Sequence, residues 1–312
     1  MKVVHLETGV HLYGGAQQVV YLLCGLQDDP SIYNILVCPP GSGVHSSGAP
    51  LADEAYALSM RGEADLVFLV RFLRLLRRIK PDIVHIHSRR GADIWGGIAA
   101  KLAGPAAILT RRVDNPEPAW MVGWKYSLYD RVVTISEGIR EVLLKQGVPE
   151  NKTTCVPSAV QSSDYDQECH GEWFLQEFGL RENEIPVGVV AQFIERKGHR
   201  YLLEALPGIL QRFPEVKVLF FGRGPLEKSL RQSVSEKDLS ERVVFAGFRQ
   251  DLKKVLPCLR LLVHPATMEG LGVSLLQAAA ARVPIVAFAS GGIPEIVQHR
   301  ENGLLVSPED VA

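Results

Sequence analysis

The sequence has no apolar run near the roughly 20 residues that a transmembrane helix needs. It also has no signal peptide, because the apolar run in the first nine residues is short and contains His5, with Glu7 directly after it. This pattern is typical of a first strand. The 34 basic and 35 acidic residues leave a net charge of -1, which argues against a general nucleic-acid binder. We therefore expect a cytoplasmic protein.

Cysteine is scarce. The five cysteines are scattered, odd in number and form no C-x-x-C pair; they are residues 24, 38, 155, 169 and 258. This pattern favours a reducing compartment and predicts neither a zinc site nor a disulfide framework.

Apolar strand-like runs alternate with helical stretches along all 312 residues, and 46% of the residues are hydrophobic. This alternation predicts an α/β protein with two parallel sheets. We expect strands at 3–6, 33–38, 83–87, 106–110 and 131–135, and then at 187–193, 216–221, 243–246, 261–264 and 285–288. The polar stretch 157–172 predicts a linker, so we place the domains at 1–165 and 166–312.

Residues 261–297 carry the most information about chemistry. They predict a strand, a glycine-bearing loop, an alanine-rich helix and a second strand. A loop that opens into a helix amino terminus binds anions, because free backbone N–H groups and the helix dipole point the same way. Glu269 lies in this loop and Gln277 follows eight residues later, so the two side chains suit a polyhydroxylated, phosphorylated ligand.

This segment resembles the donor-binding motif of retaining glycosyltransferases of family 4, written E-x7-E and followed by G-G-x-P-E-[IL]. Glu269 matches the first acid, Gln277 replaces the second, and residues 291–296 match the glycine turn. The resemblance implies the GT-B fold, in which two Rossmann-like domains face each other across a cleft. It also implies a nucleotide-diphosphate sugar as the substrate, with no cofactor and no metal.

The resemblance implies roles for the residues of the second domain. Glu269 would contact hydroxyls of the donor sugar, and Gln277 would contact the ribose. Lys197 would offset the charge of the diphosphate, so Lys197 and Glu269 are the catalytic candidates. Arg196 is the nearest substitute for a second cation, since the family's G-R-[LF] reads 191-AQF-193 here. Loop amides would bind the sugar or the phosphates at Gly270, Leu271 and Gly272.

In the first domain, the loop 12-LYGGAQ-17 follows the first strand and opens a helix. The resemblance places Gly14 and Gly15 against the donor phosphates. Two further strands end in arginine-rich loops, 87-HSRR-90 and 110-TRRVD-114. We predict an acceptor site there for a phosphorylated sugar or a lipid-linked acceptor. Its candidate residues are His87, Arg89, Arg111 and Arg112, together with Arg90.

Two further features of the first domain concern its predicted site. Family 4 members often have T-x-H at the second of these loops, and Arg112 stands in place of that histidine. His85 and His87 share one face of a strand, which could indicate a metal pair. The sequence places no third ligand nearby, so we predict no metal.

Ten Lys or Arg and only two acids lie between residues 71 and 112. Overlapping the start of this stretch, residues 66–80 form an amphipathic pattern with four arginines. Such a helix either covers the sheet with a solvated basic side or docks on a membrane surface. Near the other end, 307-SPED-310 has the signals of a helix start, and the sequence stops two residues later. Because the family continues through terminal helices, we expect a chain truncated within the second domain.

The sequence therefore predicts a retaining, metal-independent glycosyltransferase of hexosyltransferase type. It would be cytoplasmic, or peripheral on the inner face of the membrane, and would act in lipopolysaccharide or other cell-surface polysaccharide biosynthesis. The partners would be a nucleotide sugar and a sugar or lipid-linked acceptor, with no nucleic acid. The alternatives are an epimerase or phosphorylase of the same fold, distinguished by product analysis without acceptor, and a non-catalytic nucleotide-sugar-binding protein.

Overall fold

The structure is a computed structural model that describes residues 1–12, 14–89 and 91–311. The chain divides into two compact units, Met1–Ala159 and Val160–Ala312. The sequence placed the boundary at residue 165, six residues further on. Tyr165 belongs with the second unit because its hydroxyl accepts a hydrogen bond from Gln277 (2.8 Å).

Unit 1 is a seven-stranded parallel sheet with the order β3-β2-β1-β4-β5-β6-β7. Its strands are β1 (Lys2–Leu6), β2 (Tyr33–Cys38), β3 (Glu54–Ala57), β4 (Ile83–Ile86), β5 (Ala106–Arg111), β6 (Arg131–Thr134) and β7 (Thr153–Cys155). Its helices are α1 (Gly14–Leu26), α2 (Gly43–Gly48), α3 (Leu66–Ile79), α4 (Ala92–Ala103), α5 (Ala119–Ser127) and α6 (Glu137–Lys145).

Unit 2 is a six-stranded parallel sheet with the order β10-β9-β8-β11-β12-β13. Its strands are β8 (Ile185–Val190), β9 (Val216–Phe221), β10 (Val243–Gly247), β11 (Leu261–His264), β12 (Ile285–Phe288) and β13 (Gly303–Val306). Its helices are α7 (Gly171–Phe178), α8 (His199–Arg212), α9 (Glu227–Glu236), α10 (Leu252–Val255) and α11 (Val273–Ala280).

Most residues of the inner strands are apolar because the sheets are buried on both faces. In β2, for example, five of the six residues are buried. The parallel register sets His5 of β1 beside His85 of β4, and Leu6 beside Ile86. The carboxyl ends of β1 and β4 therefore meet at one edge of the sheet, where ligands of such sheets bind.

The sequence predicted ten strands and missed β3, β7 and β13. All three are edge strands of three or four residues. An edge strand that is only partly covered does not need a long apolar run, so the periodicity gives little signal. The helix α3 was predicted and is present. Its amino end is capped by Asp65, whose side chain accepts from the Phe68 N–H (2.9 Å), and its last turn closes with Lys80 in the left-handed conformation.

The prediction that the cysteines form no disulfide is wrong. Cys169 and Cys258 are bonded in unit 2, with Cα atoms 4.8 Å apart and a sequence separation of 89. Spacing gave no sign of the pair, because the bond joins the segment before α7 to the turn before β11. Within the described residues, no helix is both long and apolar enough to cross a membrane.

Candidate functional site

Two loops at the carboxyl edge of the unit 2 sheet contact each other through a hydrogen bond and a close backbone approach. The first follows β8 and contains a short 3-10 turn at Glu195–Lys197; the second follows β11. The Thr267 N–H donates to the Arg196 carbonyl (3.0 Å). Gly198 has a φ of 68°, and a Cβ there would lie 1.8 Å from the Pro265 carbonyl oxygen. Only glycine allows this approach, which places Lys197 beside the second loop.

Lys197, His264 and Glu269 meet between these loops. The Glu269 carboxylate forms an ion pair with the Lys197 ammonium through Oε2. The same oxygen accepts from Nε2 of His264 (2.9 Å), and the Glu269 carbonyl accepts from the Gly292 N–H (3.0 Å). The side chains of Lys197 and Glu269 are each 12% exposed, so the pair is largely shielded and can still be reached.

The protonation states follow from these contacts. Burial raises the pKa of Glu269, but the His264 hydrogen bond and the Lys197 charge outweigh burial and hold the pKa well below its usual range. Burial lowers the pKa of His264. A neutral His264 that donates from Nε2 carries its lone pair on Nδ1, which has no hydrogen-bond partner in the described part of the chain. At neutral pH the site therefore holds a carboxylate, an ammonium and a neutral imidazole.

The helix α11 begins directly after this cluster. Its N-cap residue is Gly272 (φ 96°), and Leu271 is buried. The structure therefore brings together Glu269, Lys197 and the helix amino end, all of which the sequence analysis had selected. Gln277 lies in the second turn of α11, and its amide nitrogen donates to the Tyr165 hydroxyl. The sequence gave no sign of this tyrosine, which lies in the segment predicted to be a linker.

In unit 1, a hydrogen-bonded cluster around the Glu7 carboxylate lies where β1 and β4 end. The Glu7 carboxylate accepts from the Gly9 N–H (2.8 Å) and from the Ser88 hydroxyl, which in turn accepts from the Thr8 N–H (2.7 Å). Both Glu7 and Ser88 are buried. The sequence analysis did not select Glu7, although its position directly after the first strand was the available signal.

Three histidines meet beside this cluster, so the prediction that no third ligand lies near His85 and His87 is wrong. His5 supplies it across the β1–β4 register, and one ring nitrogen of each lies within 4.8 Å of the others, an arrangement that could hold a metal ion. His5 Nε2 contacts Asn34 Oδ1 (3.2 Å) and His5 Nδ1 contacts His87 Nε2 (3.1 Å). Because Asn34 Oδ1 only accepts, His5 donates to it and receives from His87, which leaves a lone pair on His87 Nδ1. That nitrogen has no partner among the described residues.

The predicted acceptor arginines differ in their surroundings. Arg111 is buried, and its two terminal nitrogens donate to Glu117 (2.8 Å) and to the Asn115 carbonyl (2.6 Å), while its Nε has no partner among the described residues. Glu117 also pairs with the buried Lys125 (2.6 Å), so Arg111 belongs to an internal ion-pair network. Arg89 donates to the Asn115 side chain (2.9 Å). Arg90, like Tyr13 of the first glycine loop, lies outside the described residues.

Arg112 lies over the amino end of α1. A Cβ built on Gly15 would approach Arg112 Cδ to 3.1 Å, so the arginine side chain crosses the second residue of the helix. Its Nε is buried without a hydrogen-bond partner in the described part of the chain. Burial lowers the pKa of its guanidinium to about 10. Gly15 of the first loop and Arg112 are thus neighbours in the fold.

Two Rossmann-like parallel sheets, the second with an acid, a lysine and a helix amino end at its carboxyl edge, define the GT-B fold. The family model described as Glycosyltransferase Family 4 matches residues 13–163, and that described as Glycosyl transferases group 1 matches residues 185–312. The chain belongs to this family of glycosyltransferases.

Individual relatives agree with this assignment. A glycosyltransferase of Methanocaldococcus jannaschii is 28% identical over 58% of this chain and 47% of its own length. The UDP-Gal:alpha-D-GlcNAc-diphosphoundecaprenol alpha-1,3-galactosyltransferase of Escherichia coli is 24% identical over 79% of this chain and 68% of its own length. The chain thus spans about half to two thirds of these relatives. The Anabaena HepE structure with UDP-glucose superposes with a TM-score of 0.86 at 19% identity, covering 100% of this chain and 86% of that one.

Proposed function

We propose that this glycosyltransferase takes a sugar from a nucleotide-diphosphate donor and transfers it, with retained anomeric configuration, to a sugar or lipid-linked acceptor in cell-surface polysaccharide or lipopolysaccharide synthesis. The observation that carries the proposal is the Lys197–Glu269 pair at the amino end of α11. One group suits a diphosphate and the other suits sugar hydroxyls, and the two lie within contact distance. The HepE neighbour, which was solved with UDP-glucose, supports a nucleotide sugar as the donor.

In this mechanism the lysine serves the leaving group. The nucleoside diphosphate departs with growing negative charge, which the Lys197 ammonium and the free N–H groups at the start of α11 stabilise. Lys197 must then exchange at least part of its contact with Glu269 for the diphosphate. Glu269 remains held by His264 and accepts from the donor sugar's hydroxyls. Positioning and charge stabilisation together supply the rate enhancement, and no step requires a metal.

The acceptor is proposed to bind at the loops after β4 and β5, near His87, Arg89 and Arg112. A diphosphoundecaprenol acceptor appears in the name of the Escherichia coli relative, which supports a lipid-linked acceptor here. The exposed face of α3 supports contact with a membrane surface. It carries Leu66 and Val67, which are 60% and 65% exposed, and it continues into exposed arginines.

Replacing Lys197 tests the donor half of the proposal. We expect Lys197→Ala to weaken nucleoside-diphosphate binding about tenfold to a hundredfold, because a charge-assisted contact contributes on the order of 1.5–3 kcal/mol. Calorimetry against a panel of nucleoside diphosphates and nucleotide sugars would identify the base and measure the loss. Lys228→Ala, which removes an exposed lysine from α9, is the matched control. Equal affinity in the wild type and Lys197→Ala would exclude the assigned role.

A further inference from the structure

Tyr165 contacts one of the proposed donor-binding residues although it belongs to neither of the two site loops. Its hydroxyl accepts a hydrogen bond from Nε2 of Gln277 (2.8 Å). The tyrosine is buried, with 5% of its surface exposed, whereas Gln277 is half-buried and can still be reached by a ligand. Any effect of Tyr165 on the site therefore passes through the amide of Gln277.

The backbone around Tyr165 is fixed within unit 2. The Tyr165 N–H donates to the Ser162 carbonyl (3.0 Å), at the end of a short 3-10 turn. The residues on both sides of the tyrosine's immediate position, Asp164 and Asp166, each form an ion pair with a side chain of unit 2. The tyrosine hydroxyl is thus carried by a segment with several attachments, so it can hold the Gln277 side chain in one orientation.

A glutamine at position 277 needs such an orientation, whereas a glutamate would not. Both oxygens of a carboxylate accept hydrogen bonds, but an amide has one acceptor, Oε1, and one donor group, Nε2. The terminal torsion of glutamine is broad and roughly two-fold, so it does not by itself select which of the two faces a ligand. The bond from Nε2 to Tyr165 makes that selection, because it leaves Oε1 as the atom that accepts from a ligand hydroxyl.

We propose that Tyr165 is a positioning residue for the nucleotide donor, which holds the Gln277 amide so that Oε1 accepts from a ribose hydroxyl. The tyrosine thereby gives the glutamine the hydrogen-bonding character of the acid that stands at this position in the family motif. The inference rests on the proposed function, because it takes the ligand to be a nucleoside diphosphate. It also gives a role in binding to the segment 162–169, which the sequence predicts to be a linker.

The test is calorimetry on the full chain with UDP or GDP, whichever binds the wild type more tightly, and with the 2′,3′-dideoxy analogue of that nucleotide. We expect Tyr165→Phe to bind the nucleotide about threefold to tenfold more weakly, which is the net effect of one hydrogen bond. The analogue lacks the hydroxyls that Gln277 would contact, so its affinity should be the same in both proteins. Unchanged affinity for the nucleotide, or an equal loss for nucleotide and analogue, would overturn the proposal.

Gln277→Glu supplies a rescue that a merely structural role of Tyr165 would not show. Because both carboxylate oxygens accept, Tyr165→Phe should weaken nucleotide binding by less than about twofold in the Gln277→Glu background. The same loss in both backgrounds would contradict the proposal. Asp166→Asn is the matched control, since it removes an exposed ion pair of the same segment and should leave nucleotide affinity unchanged.

A measurement on the wild type does not depend on how the variants fold. The side-chain amide signals of Gln277 in an NMR spectrum are those that Gln277→Glu lacks. One Nε2 proton should exchange slowly with solvent, both without and with nucleotide, because it stays bonded to Tyr165. Loss of this protection when nucleotide binds would show that Nε2 turns to the ligand, and would overturn the proposal. Failure of the proposed function itself would appear separately, as unchanged nucleotide binding in Lys197→Ala.

Discussion

Gln277 occupies the position where the family motif has its second acid, and its amide nitrogen donates to Tyr165. A glutamate can keep this contact, because the tyrosine hydroxyl can donate to a carboxylate. A charged acceptor also makes stronger bonds to ribose hydroxyls than an amide does. We therefore expect Gln277→Glu to bind nucleoside diphosphate as well as the wild type or better, as measured by calorimetry. Binding more than tenfold weaker would mean that the amide donor itself is required.

His5 makes unit 1 sensitive to acid. Burial lowers its pKa from 6.5 to about 4, although the hydrogen bond with Asn34 raises it. The unfolded chain therefore binds a proton that the folded chain does not between pH 6.5 and pH 4, so stability is lost as the pH falls through this window. From this group alone we expect a loss of about 2 kcal/mol between pH 7.5 and pH 5.

Urea unfolding of the wild type at the two pH values measures this loss, and His5→Gln is the comparison. The free energy of unfolding of His5→Gln should depend less steeply on pH, because His5 no longer titrates. Part of the dependence should remain, because the other buried histidines, including His85 and His87, still titrate. An identical dependence in the wild type and the variant would show that His5 is protonated equally in the folded and unfolded states.

At the scale of elements, four contacts hold the segment 162–169 against the rest of unit 2. Tyr165 bonds with Gln277, Asp164 pairs with Lys253 (2.6 Å), Asp166 pairs with Arg282 (3.0 Å), and the fourth contact is the disulfide. Since a disulfide restricts the unfolded chain, we expect its reduction to lower the free energy of unfolding by about 2–4 kcal/mol.

Chemical denaturation with and without dithiothreitol tests this expectation, with the double variant Cys169→Ser, Cys258→Ser as the control. The variant should match the reduced wild type and should not respond to dithiothreitol. If dithiothreitol destabilises the variant as much as the wild type, the effect does not come from this bond.

The exposed face of α3 combines apolar residues in its first turns with arginines in its last two turns. If it docks on anionic membranes, flotation with anionic liposomes should exceed flotation with neutral liposomes and should fall as salt rises. Arg74→Gln with Arg77→Gln should reduce it, since each basic residue near the surface contributes about 1 kcal/mol. Equal, negligible flotation with both liposome types would assign α3 the role of covering the sheet alone.

The inner strands of both sheets could be predicted because burial on two faces requires continuous apolar runs. The edge strands could not, since β7 has three residues and only one of them is buried. In unit 2, the family resemblance selected Glu269 and Lys197, and the two side chains form an ion pair in the structure. His264 was missed as a partner of Glu269, although it ends the predicted strand. Contacts between distant segments, such as Tyr165 with Gln277 and Cys169 with Cys258, follow from tertiary packing, for which a single sequence has no periodic signal.

At the scale of the whole molecule, each unit has its own core. Residues from β1, β4 and α3 build one, and residues from β8, β9 and α8 build the other. We therefore expect hydrogen exchange in increasing urea to show separate midpoints for peptides of the two units. Dithiothreitol should shift only the midpoint of unit 2, which contains the disulfide. One coincident midpoint that shifts as a whole would show that the two units unfold together.

The fastening of the two loops around Gly198 has a consequence for how this enzyme can diversify. The partners that the described residues provide for Lys197, His264 and Glu269 all lie in unit 2, and so does the carbonyl that excludes a side chain at Gly198. All the described residues of this arrangement therefore lie within residues 160–312. With the donor bound by unit 2 and the acceptor by unit 1, as proposed above, exchange of these residues between relatives would transfer the choice of nucleotide sugar and leave the choice of acceptor with the recipient chain.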